Sequence, residues 1–218
     1  MLSEKSLIRE SELKNFLLVE GKDDEHVFYS LLKHHQIPRH FEIKNKESIN
    51  KLLDTLEVEL LSSDLGRLGI VVDADTDVAA RWQALRDKLI RSGYSTVPVS
   101  PNLNGTIIKE EELPIVGIWL MPDNTIPGML ENFVSFLIPP DDSLWPMAED
   151  VLQKVIEKDR RFRDTYQMKA RLHTWLAWQE QPGTPLGLAI TNRYLDANAP
   201  HAQQLMDWIR QLFDLESA

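Results

Sequence analysis

Two short acidic motifs carry the chemistry this sequence can offer. Glu20-Gly21 ends the apolar run Phe16-Leu17-Leu18-Val19, and Asp23, Asp24 and Glu25 follow within five residues. Asp73-Ala74-Asp75 ends a second apolar run, Leu68-Gly69-Ile70-Val71-Val72. Runs of this kind, rich in β-branched residues, suit strands buried on both faces of a parallel sheet. In such sheets the carboxyl ends of the strands share one edge, and ligands bind there. Glu20, Asp73 and Asp75 are therefore expected at one crevice, although more than fifty positions separate the two motifs. Alternation along an extended backbone would put Asp73 and Asp75 on the same side.

Converging carboxylates repel one another unless one is protonated or a cation intervenes. Hard oxygen ligands favour Mg²⁺ or Mn²⁺, which keep several waters and take phosphate oxygens as further ligands. The chemistry expected is metal-assisted phosphoryl transfer or phosphodiester hydrolysis. A plainer reading exists for part of the set. Asp and Glu favour helix N-caps and first turns, and this accounts for Asp23, Glu25 and Asp77. It accounts less well for Glu20, which directly follows a buried run, or for the Asp73–Asp75 pair.

The elements that must position these residues are legible in outline. Strands are expected at residues 16–20, 41–44 and 68–72, alternating with amphipathic helices at 24–35, 48–61 and 77–91. That alternation implies right-handed crossovers and a mostly parallel sheet with helices on both faces. Further strands are expected at 96–99, 106–109 and 116–121, extending the sheet as a β-hairpin or meander. Helices follow at 129–137, 144–161, 165–179 and 201–215. The fold class is α/β, divided into a catalytic part at 1–138 and a mainly helical C-terminal extension at 139–218 packed on it, with the boundary at Pro139-Pro140.

At this level of organisation the chain resembles the Toprim family. "VEGKDD" after an apolar strand resembles the family's glutamate motif, and "IVVDAD" resembles its Asp-x-Asp motif on a later strand. The resemblance spans residues 16–121 and implies a Toprim-like sheet. It further implies Glu20 as general acid or base, Asp73 and Asp75 as Mg²⁺ ligands, and Gly21 as a sharp turn beside the substrate. Asp24 stands where nuclease-type members add an acidic ligand. Members resembling the overcoming-lysogenisation-defect (OLD) nucleases also imply a later acidic ligand, for which Glu131 is the candidate. They imply a lysine that stabilises transition-state charge, for which Lys169 is the candidate. No glycine-rich Walker loop is present, so the ATPase half of those larger nucleases is missing here.

The remaining signals narrow the class. The 218 residues carry a formal charge of −10 and no cysteine, which excludes disulfides, thiol catalysis and cysteine-bound zinc. An acidic chain does not coat nucleic acid indiscriminately, so nucleic acid is expected to meet a local patch. Lys154, Lys158 and Arg161, at i, i+4 and i+7, could supply phosphate contacts there, although interleaved acids also suit a solvated helix. Trp175, Trp178, Trp208 and Phe213 read as core residues on amphipathic helices, and the histidines are scattered. Apolar runs are too short for a membrane span, and residues 1–10 lack a signal-peptide core; a cytoplasmic location is expected, and a homo-oligomer is left open.

The function expected is Mg²⁺-dependent cleavage of a phosphodiester bond in DNA or RNA. One alternative is a non-catalytic metal- or nucleic-acid-binding, or regulatory, protein with the same fold. Another is a haloacid-dehalogenase-like phosphatase using "VVDADTD", although Asp77 occupies a place where that motif needs Thr or Val. A glycosyltransferase using Asp-x-Asp would leave Glu20-Gly21 unexplained.

Overall fold

A computed structural model describes residues 13–215. Residues 1–10, expected to carry no signal peptide, lie outside the described residues. The sheet has five strands in the order β2-β1-β3-β5-β4, where β1 is Lys14–Val19, β2 Glu42–Asn45, β3 Leu65–Asp73, β4 Thr106–Ile108 and β5 Ile115–Met121. The four strands β2, β1, β3 and β5 are parallel, and β4 returns antiparallel to β5 as the expected hairpin. The chain leaves β1 outward to β2 and then crosses back to β3 on the other side of β1. The carboxyl ends of β1 and β3 therefore flank a topological switch point, where the sheet edge opens into a crevice.

Two apolar cores sandwich this sheet. On one face, Leu52, Leu56 and Leu60 of α2 (Ile49–Leu60) and Trp82, Leu85 and Leu89 of α3 (Val78–Arg91) cover Leu18, Leu68, Ile70, Val72, Val116, Ile118 and Leu120. On the other, Val27, Phe28, Leu31 and Leu32 of α1 (Lys22–His34) cover Leu17, Val19, Val71, Trp119 and Met121. The C-terminal helices join this second core. They are α4 (Leu130–Ser135), α5 (Leu144–Asp159), α6 (Gln167–Leu176), α7 (Leu186–Thr191) and α8 (Pro200–Phe213). The alternation that sends Val71 to the α1 face sends Asp73 there as well.

Docking of α8 depends on two glycines. Gly69 and Gly117 are register partners on β3 and β5, and Leu212 lies over both. A Cβ on Gly69 would stand 3.1 Å from Leu212 Cδ2, and one on Gly117 would stand 2.5 Å from it. The missing side chains form the groove that α8 occupies. Phe213 then stacks on Phe41 at 3.9 Å between centroids, and Arg67 donates to the Leu212 carbonyl at 2.7 Å.

Two expectations are corrected here, and one helix is added to them. Residues 96–99 form no strand: Pro98 and Pro101 remove backbone donors, and Glu110 instead accepts from the N–H groups of Ser95 and Thr96 at 3.1 Å each. The helix expected at 144–161 ends at Asp159, and a 3-10 turn, Asp164–Tyr166, precedes α6. The short α7 carried no periodic signal, and it packs closely because Gly187 approaches the His26 carbonyl, 2.6 Å from where a Cβ would stand.

Gly117→Ala is expected to destabilise the chain by about 1–3 kcal/mol, because the new methyl must displace Leu212 and Trp208 from a packed seam. A lower midpoint in urea with an unchanged slope checks this; an unchanged midpoint contradicts the seam.

Candidate functional site

Asp73 is the last residue of β3, and three other elements bind it. Its N–H donates to Glu20 Oε1 at 2.8 Å, which ties the end of β1 to β3. Its Oδ1 accepts from the Leu130 N–H at 2.9 Å, which ties in the start of α4. Its carbonyl accepts from Arg81 Nε at 2.8 Å, which ties in α3. The expected convergence of Glu20 and Asp73 is thus direct, through a hydrogen bond.

Asp24 comes from the first turn of α1 and is buried at 7% exposure. Its Oδ1 is buried and has no hydrogen-bond partner. Glu131, from the first turn of α4, is also buried rather than solvated, and Lys169 of α6 reaches it at 2.6 Å. Glu20, Asp24, Asp73, Asp75, Glu131 and Lys169 line one cleft of about 550 Å³, together with Gly21, Lys22 and Tyr166.

Asp75 departs from the expected geometry. It lies beyond the strand with φ 54°, in the left-handed region, so alternation from Asp73 no longer applies. Its N–H donates to the Gly128 carbonyl at 2.8 Å, and its carboxylate pairs with Arg81. It reaches the cleft from the rim, half exposed. Gly21 also differs from expectation. Its φ of −137° is extended backbone that any residue adopts, so no sharp turn requires glycine there. Space is tight instead: a Cβ would stand 3.1 Å from Asp24 Oδ2, so a larger residue would press on that carboxylate. Lys158 and Arg161 do not line the cleft; both are exposed, and Arg161 pairs with Asp159 at 3.0 Å.

Among the other residues weighed from sequence, Asp77 caps α3 by accepting from the Ala80 N–H at 2.9 Å. Asp123 holds a turn through the Thr125 and Ile126 N–H groups. Asn124 is buried and accepts from the Leu120 N–H of β5. Trp175, Trp208 and Phe213 are buried as expected, whereas Trp178 is 37% exposed. The residue sequence reasoning missed is Arg81. Its signal was available, because an N-cap at Asp77 places Arg81 four residues on, at the helix end nearest β3.

The electrostatics follow from this packing. Burial, then the charge of Glu20 and that of Glu131, raise Asp24 to about 7. Burial, followed by Asp24, Glu20, Glu131 and Asp75, holds Asp73 well above the usual carboxylate range. Burial raises Glu20 too, against the Asp73 N–H and Arg81, which favour its charged form. Burial disfavours the Lys169 ammonium, but Glu131, Asp23 and Asp73 outweigh it and raise the lysine. Lys22, Lys169 and Arg81 are outnumbered by the acids that line the cleft.

These observations test whether a metal suits the site. Among the described residues no group of three or more acidic or histidine side chains is arranged to hold an ion by itself. The donor set nevertheless matches a hard cation that retains water: oxygen ligands only, excess negative charge, and a buried carboxylate oxygen with no partner. Asp24 and Asp73 are the residues that would hold it, with Glu20 and Asp75 at the margin.

A family model described as protein of unknown function (DUF3226) matches residues 14–214, and the chain belongs to that family. No curated protein and no solved structure matches it. Among the described residues no helix is long and apolar enough to cross a membrane.

Asp24→Asn is expected to stabilise the metal-free protein. A raised acid favours folding while it is protonated in both states, below about pH 4. That contribution is lost as pH rises towards 7, because the unfolded chain ionises freely and the folded one does not. The difference between 3.8 and about 7 corresponds to at most about 4 kcal/mol. In a chelator, the wild-type melting temperature should fall relative to Asp24→Asn as pH goes from about 4 to 8. Parallel profiles would contradict the buried charge.

Proposed function

We propose that the cleft cleaves phosphodiester bonds with the help of Mg²⁺ or Mn²⁺, as a Toprim-like nuclease acting on DNA or RNA. The observation that carries this reading is the gathering of Glu20, Asp24, Asp73 and Glu131 at the switch point, with one buried Asp24 oxygen unpartnered. Buried carboxylate oxygens are ordinarily partnered, and Asp24 lines the cleft, so a cation bound there would supply the partner.

The side chains divide the work by position. Asp24 and Asp73 would hold the cation, which when bound would polarise a phosphate and offset charge at the leaving oxygen. Glu20, with one oxygen fixed by the Asp73 N–H, has its other oxygen for a proton at the nucleophile or leaving group. Burial raises its affinity for protons above that of a free carboxylate, the direction that exchange requires. Lys169 is held as a cation against Glu131 and stabilises developing negative charge from the opposite wall. Arg81 fixes the carbonyl of Asp73 and the carboxylate of Asp75, and so acts as a positioning residue.

A second reading, a protein that binds metal or nucleic acid without turnover, draws on the closed Glu131–Lys169 ion pair, which occupies two of these groups with each other.

Asp73→Asn and Glu20→Gln keep the hydrogen-bond acceptors that Leu130 and Asp73 require, so both variants should fold. Each is expected to lower Mg²⁺-dependent cleavage of DNA or RNA by at least about 100-fold. Cleavage at the wild-type rate by either variant would overturn the mechanism. Stabilisation by Mn²⁺ that is lost in Asp73→Asn, with no cleavage by the wild type, would select the second reading.

A further inference from the structure

The helical segment that supplies Lys169 has a second exposed face. Phe162, Tyr166, Lys169, Ala170 and His173 line a shallow recess of about 490 Å³. Residues 166, 169 and 173 recur at i, i+3 and i+7 from the end of the 3-10 turn along α6, and Phe162, in the non-helical link before that turn, joins them in the recess. Tyr166 is 45% exposed although large and aromatic. Neither Phe162 nor Tyr166 belongs to the buried cores.

The recess is continuous with the carboxylate cleft, since Tyr166 and Lys169 line both. A group bound at the carboxylates therefore has an aromatic surface beside it, with an ammonium at the boundary. Arg160, Arg161 and Arg163 flank Phe162 in the chain. Aromatic faces beside cations, adjoining a site for a metal-bound phosphate, complement a nucleotide: the ring stacks and the backbone meets the cations. A base paired inside a duplex has no free face for this shelf.

We propose that Phe162, Tyr166 and His173 form a stacking shelf for an unpaired nucleobase next to the phosphate in the cleft, so that the protein selects single-stranded nucleic acid. This rests on the phosphodiesterase reading for the neighbouring phosphate, but the shelf can be tested by binding alone.

The experiment uses the full chain in Ca²⁺, with fluorescence anisotropy of a labelled short oligothymidylate, the matching oligouridylate and a duplex of the same length. The single strands should bind at least about 10-fold tighter than the duplex. Phe162→Ala and Tyr166→Ala should each weaken single-strand binding by about 5- to 100-fold, the range for loss of one stacked base. Tyr166→Phe should retain it, and thermal melts confirm folding. An abasic site in the strand should weaken the wild type but not further weaken Tyr166→Ala. Absence of single-strand binding, equal affinity for duplex, or unchanged binding by both alanine variants overturns the shelf. Shelf-dependent binding that persists in Asp73→Asn, with no cleavage by the wild type, would overturn the phosphodiesterase reading and leave the shelf standing.

Discussion

Mutual repulsion of carboxylates at the carboxyl edge of the sheet is the constraint around which the rest of the structure is arranged. Asp73 answers it by giving three of its polar groups to three different elements: its N–H to Glu20, its carbonyl to Arg81, its Oδ1 to the Leu130 N–H. These contacts fix the end of β1, the start of α4 and the first turns of α3 against one residue. They do not neutralise the charge. Asp24 is pushed in beside them with an oxygen unpartnered, which a fold selected for stability alone would avoid.

The sheet makes this arrangement tolerable. Both faces carry apolar cores, and the seam between α8 and the Gly69–Gly117 pair locks the C-terminal helices onto β3 and β5. Those helices in turn deliver Lys169 to Glu131. Hydrophobic burial of the cores is spread over many residues, whereas the electrostatic penalty is confined to one edge. The edge can remain strained because its supports are rigid.

Much of this was legible in the sequence. Glu20 and Asp73 could be placed because each ends a buried run, and parallel strands end on a common edge. Asp75 could be placed in the crevice but not oriented, since the left-handed backbone at that residue follows from the Asp75–Gly128 bridge, a tertiary contact. Burial of Glu131 was not legible, because a first-turn glutamate looks the same whether or not another helix covers it. Arg81 was legible though missed, since the Asp77 cap sets it one turn into α3, at the end beside Asp73. The basic stretch around Lys158 had the right spacing but the wrong place: α5 ends at Asp159 and presents Lys158 to solvent.

The location of charge also explains why a strongly acidic chain need not repel a polyanion. The acids of the cleft stand on strand and helix ends facing inward, where a divalent cation would invert the local field. The recess lined by Phe162 and Tyr166 adjoins the cleft, and α6 begins directly after Tyr166 and carries Lys169 and His173. The segment before α6 thus contributes the exposed rings of Phe162 and Tyr166, and α6 itself the Lys169 cation that faces Glu131. Tyr166 immediately precedes α6 and Lys169 lies in its first turn, so those two are spaced by helix geometry, whereas Phe162 is placed by the link between α5 and the 3-10 turn.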